Sequence, residues 1–149
     1  MVELNKTPEK DDKVQKKKHT YILFIVTALA LCATITLNIR RPHLFYRMCA
    51  AIQIINIIGI LIDSTLLMNI GHIGFAVSVY VGALVLPPSD IWIIYAACMV
   101  ALYSRKVLNG CLFHFTKGKT STTPTNSLIT NVLYVIPMIV SFIRRMVAN

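Results

Sequence analysis

The sequence is short of charge. Only 14% of its 149 residues are Asp, Glu, Lys or Arg, against about 25% in a typical soluble domain. From Met48 to Ser104 the only charged side chains are Asp63 and Asp90. A water-soluble fold of this size needs far more charge to cover its surface. Acids are scarcest: after Asp12, Asp63 and Asp90 are the whole supply, so acid–base or hydrolytic catalysis lacks raw material. There is no GxSxG. The histidines, His19, His43, His72 and His114, make no HExxH and no ligand pair. The cysteines, Cys32, Cys49, Cys98 and Cys111, form no C-x-x-C, and in apolar runs a thiol behaves as a small hydrophobe. Gly118-Lys119-Thr120 ends like a phosphate-binding loop, but Phe113 stands where the motif needs glycine. These shortages predict no enzyme, no cofactor and no metal site.

What the sequence has is apolar length. Residues of the set AVILMFWYC make up 56%, and a membrane-spanning helix needs about 20 of them in succession. The stretch 21–38 meets this. It exceeds a signal-peptide core and follows a polar lead containing Glu3, Glu9, Asp11 and Asp12, so it reads as a retained anchor. Leu29-Ala30-Leu31-Cys32 is a poor lipoprotein box, because Leu31 is too large. The link 39–47 holds Arg40, Arg41, Arg47 and the helix-breaking Pro42.

Two parses compete beyond it. In one, a helix over 44–62 is followed by Asp63-Ser64 capping a second over 65–86. In the other, the break falls at Asn69–His72, which leaves 73–86 short and places Asp63 in hydrocarbon. The first is preferred, because a mid-membrane Asp costs about 2.5–3.5 kcal/mol. Pro87-Pro88 ends the third apolar run, and Ser89-Asp90 resembles an N-cap for a fourth, 90–104, with Trp92 and Tyr95 near one interface and Tyr103 near the other. A polar loop, 105–127, precedes a fifth, 128–143, which contains Pro137.

The basic residues explain the formal charge of +9. They flank apolar runs, as headgroup anchors do, so no specific nucleic-acid partner is expected. With five spans, ten Lys and Arg fall on the side of the N-terminus and five on the other, which predicts an N-terminus on the cytoplasmic-equivalent side. A four-span count gives eight against seven and predicts nothing. The same orientation puts Asn5-Lys6-Thr7 out of reach of glycosylation.

Some residues stand out by spacing. Gly74, Ser78 and Gly82 make a smooth stripe suited to close helix packing, and Ala28, Cys32 and Thr36 repeat the pattern. Gln53, Asn56 and Asp63 recur near one helix face. They form either interhelical hydrogen bonds or an ion or proton path with His72 as relay. Lys16, Lys17 and Lys18, with Arg105, Lys106, Lys117 and Lys119, are the candidate contacts for anionic lipid or partner subunits. Residues 1–20 have no apolar period and alone in water should be disordered.

The expected fold is all-α: a polytopic transmembrane helical bundle of about five spans, four in the alternative count. It carries a basic polar N-terminal tail (1–20) and a short C-terminal tail (144–149). The expected function is that of a non-catalytic integral membrane protein, a structural or anchoring subunit of a larger assembly. An accessory subunit of an organellar membrane complex and a minor virion membrane protein both fit. The alternative is a small oligomeric transporter or channel using the Gln53/Asn56/Asp63 face. The expected partners are the lipid bilayer and other protein subunits.

Overall fold

The computed structural model describes residues 8–108 and 127–148, and every regular element among them is helical. In chain order these are α1 (Pro8–Arg40), α2 (Leu44–Leu61), α3 (Thr65–Val85), a 3-10 turn (Pro88–Asp90), α4 (Trp92–Leu108) and α5 (Ser127–Ala148). Three segments are long and apolar enough to cross a membrane: Lys17–Arg40, Leu44–Leu61 and Thr65–Val85. The α4 helix has 17 residues and α5 has 22.

The first helix starts earlier than the sequence predicts. Residues 8–20, expected to lack structure in water, continue α1 without a break. Nucleation is the costly step of helix formation. Once 21–38 is helical, the Glu-, Lys- and Gln-bearing residues ahead of it add one at a time at favourable propensity. Pro8 suits a first turn, where its missing N–H has no helical partner to lose. The triplet Asn5-Lys6-Thr7 lies outside the described residues.

Local chemistry sets each break. Pro42 ends α1, and His43 then caps α2, its Nδ1 accepting from the Phe45 N–H at 3.2 Å. The α2–α3 turn is a Schellman motif. The Ser64 N–H donates to the Gly59 carbonyl (2.8 Å) and the Asp63 N–H to the Ile60 carbonyl (3.3 Å). That geometry requires a left-handed residue, and Asp63 supplies it at φ 50°. Ser64 then serves α3, its Oγ accepting from the Leu67 N–H at 3.4 Å. Pro87 and Pro88 end α3.

The fourth helix begins at Trp92, two residues after the expected start of its span, and runs on to Leu108. Arg105 and Lys106 therefore occupy its last turn rather than a loop, where cations complement the helix dipole. Residues 109–126 lie outside the described residues, and with them Lys117, Lys119 and the Gly118-Lys119-Thr120 triplet.

Among the described residues α1 packs on α2 alone, α2 lies between α1 and α3, and α3 meets both α4 and α5. Side-chain pairs fix the directions. Thr27 meets Asn56 and Thr34 meets Gln53, so α1 and α2 are antiparallel. The α1–α2 and α3–α4 links meet at one end through Arg41 and Asp90. Arg144, late in α5, reaches Ala83, late in α3, at that same end. The turn 62–64 is at the other end. The buried apolar cluster of Phe45, Tyr46, Val79, Ala83, Leu86, Ile94 and Cys98 sits toward the Asp90 end. Elsewhere the exterior is greasy: Leu29, Ile73 and Leu84 are 66%, 65% and 62% exposed, a surface unsuited to water.

Candidate functional site

Asp90 is a buried carboxylate, only 3% exposed. Its Oδ1 accepts from Arg41 Nη1 (2.6 Å) and from Ser89 Oγ (3.0 Å), and its Oδ2 accepts from the Tyr46 hydroxyl (2.5 Å). Arg41 Nη1 also donates to Ser89 Oγ at 2.9 Å. The Ser89-Asp90 pair read as an N-cap is thus spent across the bundle, on the α1–α2 link and α2. A buried carboxylate needs such partners, and the three donors come from three places in the chain. Arg41 is 60% exposed, so the ion pair is partly screened and much of the tie rests on hydrogen bonding. The arrangement locks two links together; it presents no open reaction space.

A second polar group lies between α1 and α2. Asn56 Nδ2 donates to Thr27 Oγ1 and Gln53 Nε2 to Thr34 Oγ1, both at 3.1 Å. Each threonine hydroxyl in turn donates back to its own helix, Thr27 to the Leu23 carbonyl (2.7 Å) and Thr34 to the Ala30 carbonyl (2.8 Å). Such rungs spare polar groups from hydrocarbon and each contribute about 0.6 kcal/mol in membranes. The amide oxygens Asn56 Oδ1 and Gln53 Oε1 are buried without a hydrogen-bond partner among the described residues. Asp63 does not join this group: α2 ends at Leu61, and Asp63 lies exposed in the following turn. His72 is half-buried on α3.

The small residues of α3 face α2 and α4. A Cβ on Gly74 would lie 2.8 Å from Ile52 Cγ2, and one on Gly82 would lie 2.6 Å from Ile94 Cδ1. Ser78 lies beside the Cys49 thiol. The stripe extends one turn back to Gly71, where a Cβ would stand 2.7 Å from both Cβ and Oδ1 of Asn56. Sequence reasoning missed Gly71, although it lies three residues before Gly74. Asn56 thus reaches Thr27 only because α3 has no side chain at this point. On α1, Cys32 and Thr36 are exposed and Ala28 half-buried.

Two further contacts were also missed, and both answer a proline. Pro137 has no N–H, which strips the Leu133 carbonyl of its usual helical donor. The Tyr80 hydroxyl replaces it at 2.6 Å. Pro87 likewise leaves the Ala83 carbonyl at the end of α3 without a donor, and Arg144 Nη1 supplies one at 2.7 Å. Each bond joins α3 to α5, once in each direction. The local signal was available: the carbonyl four residues before any proline needs a donor. Tyr95 adds a bond from α4 to the Met138 carbonyl (3.1 Å), while Trp92 and Tyr103 are exposed.

The candidate cations divide between the two ends. Lys17, Lys18 and Lys106 are exposed and Arg105 half-buried, all at the end away from Asp90. Arg40, Arg41, Arg47, Arg144 and Arg145 belong to the Asp90 end. Among the described residues no group of three or more His, Cys, Asp or Glu could hold a metal ion. No known protein family matches the chain, and neither the curated proteins nor the solved structures give a match.

Proposed function

We propose that the chain is a non-catalytic integral membrane protein that anchors a larger assembly to a bilayer. In this reading all five helices span, the N-terminus lies on the cytoplasmic-equivalent side, and the Asp90 end faces the other side. The α4 helix is near the lower length limit for a span, and α5 is long enough despite Pro137. The observation that carries the reading is the length of α1. Its 33 residues extend about 50 Å at 1.5 Å per residue, against a hydrocarbon core of about 30 Å. With Lys17–Arg40 in the membrane, residues 8–16 form a rigid handle beyond Lys17 and Lys18, on the same side as Arg105 and Lys106. The extension itself balances Lys10, Lys13 and Lys16 against Glu9, Asp11 and Asp12, and Lys17, Lys18, Arg105 and Lys106 at its base suit an acidic protein face or anionic headgroups. The partner would be a soluble subunit of an organellar membrane complex or of a virion with a membrane.

The test is purification from the native membrane. A stoichiometric complex is expected, and deleting residues 1–18 should release the partner while the remaining chain resists alkaline carbonate. A chain that stays monodisperse without detergent would sink the reading at its root.

A small oligomeric transporter or channel is the second reading, favoured by the buried, unpartnered oxygens of Gln53 and Asn56. Asp63, its proposed titrating group, stands in the exposed turn. Ion flux in reconstituted vesicles that Asp63→Asn leaves intact but Asn56→Leu abolishes would support a path through the amides. No flux at all would remove it.

A further inference from the structure

We propose that the groove between α4 and α5 holds one anionic phospholipid, with an acyl chain along its floor and the phosphate at Arg145. The groove is shallow and largely open, with about 420 Å³ of space along it. Tyr95 and Leu102 line it from α4, and Val135, Met138, Ile139 and Phe142 from α5. Its walls are almost wholly apolar, and the eight residues from Val135 to Phe142 give it a length of about 10 Å. What distinguishes it from the rest of the greasy exterior is its end. Arg145 follows Met138 by seven residues, which puts it within about 20° of the same face, and it is exposed. Trp92, one turn before Tyr95, is 56% exposed at the same end. An apolar channel ending at a free guanidinium and an indole matches a lipid, whose chain is apolar and whose phosphate and ester groups lie at headgroup level. Arg144 is already turned inward to the Ala83 carbonyl, so of the two arginines near the end of α5, Arg145 is the one placed to meet the phosphate. The segment 109–126, which holds Leu112, Phe113 and Phe115 beside its Thr, Ser and Lys, is the rival occupant that the experiment separates from lipid.

The proposal rests on the bilayer reading, and the two fail differently: that reading falls if the chain needs no detergent, this one by lipid occupancy. The experiment is native mass spectrometry of the full chain in mild detergent with added phosphatidylglycerol. One adduct per chain is expected. Its occupancy should fall about fivefold in Arg145→Gln, the effect of one cation near an anionic headgroup, and further in Ile139→Trp, which fills the floor. Leu84→Trp, on the exposed face of α3, should leave it unchanged. Arg145→Gln keeps the test decisive if Ile139→Trp fails to fold. Wild-type occupancy in Arg145→Gln, no adduct on the wild type, or an adduct that appears only after proteolytic cutting within 109–126 would each overturn the proposal.

Discussion

The Tyr80–Leu133 bond lends itself to a test in which a second substitution should cancel the first. Tyr80→Phe removes one hydroxyl and leaves the ring in place. The bond lost is short, 2.6 Å, and the carbonyl it served has no helical donor because Pro137 occupies the position that would provide one. With α5 spanning the bilayer as proposed, no water can take over. The expected loss is a hydrogen bond of about 0.6–1.7 kcal/mol on membrane scales, with a stranded carbonyl raising it toward 2 kcal/mol. Pro137→Ala restores the N–H, so in that background the Leu133 carbonyl keeps an intrahelical partner and Tyr80→Phe should cost less than about 0.5 kcal/mol. The coupling energy is then about 1 kcal/mol. Unfolding by SDS in mixed micelles, followed through Trp92, the single tryptophan, measures all four corners of the cycle. Equal costs of Tyr80→Phe in the two backgrounds would show that the hydroxyl does not stand in for the missing amide.

Five other substitutions probe the remaining contacts in the same unfolding assay. Asp63→Gly should stabilise by about 0.5–1 kcal/mol, because φ 50° suits glycine better than any L-residue; destabilisation would mean that the Asp63 side chain carries the turn. Gly71→Ala should cost about 1–3 kcal/mol by driving a methyl into Asn56, and Asn56→Ala should recover part of that loss; a neutral Gly71→Ala would show that the helices separate freely there. At the Asp90 end, Arg41→Gln should cost more than Asp90→Asn, about 2–3 against about 1 kcal/mol. The first strands a carboxylate that is 3% exposed, whereas the second frees a guanidinium already largely in solvent. The reverse order would place the energy of the lock in Arg41's other contacts.

The helix breaks were legible because each is written in adjacent residues. Pro42, Asp63-Ser64 and Pro87-Pro88 end or start helices through their own backbones, and distant chain has no vote. The Asp90 lock was not legible, since nothing near Asp90 identifies Tyr46 or Arg41 as its partner. Those meetings depend on which helix ends are brought side by side, a consequence of packing. The face read as Gln53, Asn56 and Asp63 shows the same limit from the other side. Helical spacing carried the pattern to position 63, although the preferred parse put Asp63 in the turn; the Schellman motif ends α2 at Leu61, and only the two amides remain inside. The start of α1 was missed for a different reason. A polar segment judged alone has no cause to be helical, yet one continuing an existing helix escapes the cost of starting one.

Proline here does more than punctuate. A proline exports the need for a donor from its own helix to a neighbour, and the neighbour that answers is thereby fixed in register. Pro137 draws Tyr80 from α3, and Pro87 draws Arg144 from α5. The two bonds run in opposite directions between the same two helices and at different heights, so α5 can neither slide along α3 nor turn away without stranding a carbonyl. Apolar packing alone provides no such constraint in lipid, where any greasy face is as well solvated outside the bundle as within it. On this argument α5 depends on the donor it borrows from Tyr80 and the one it lends through Arg144 more than on its leucines and isoleucines, and α1, which among the described residues meets α2 alone, depends in the same way on the rungs at Thr27 and Thr34.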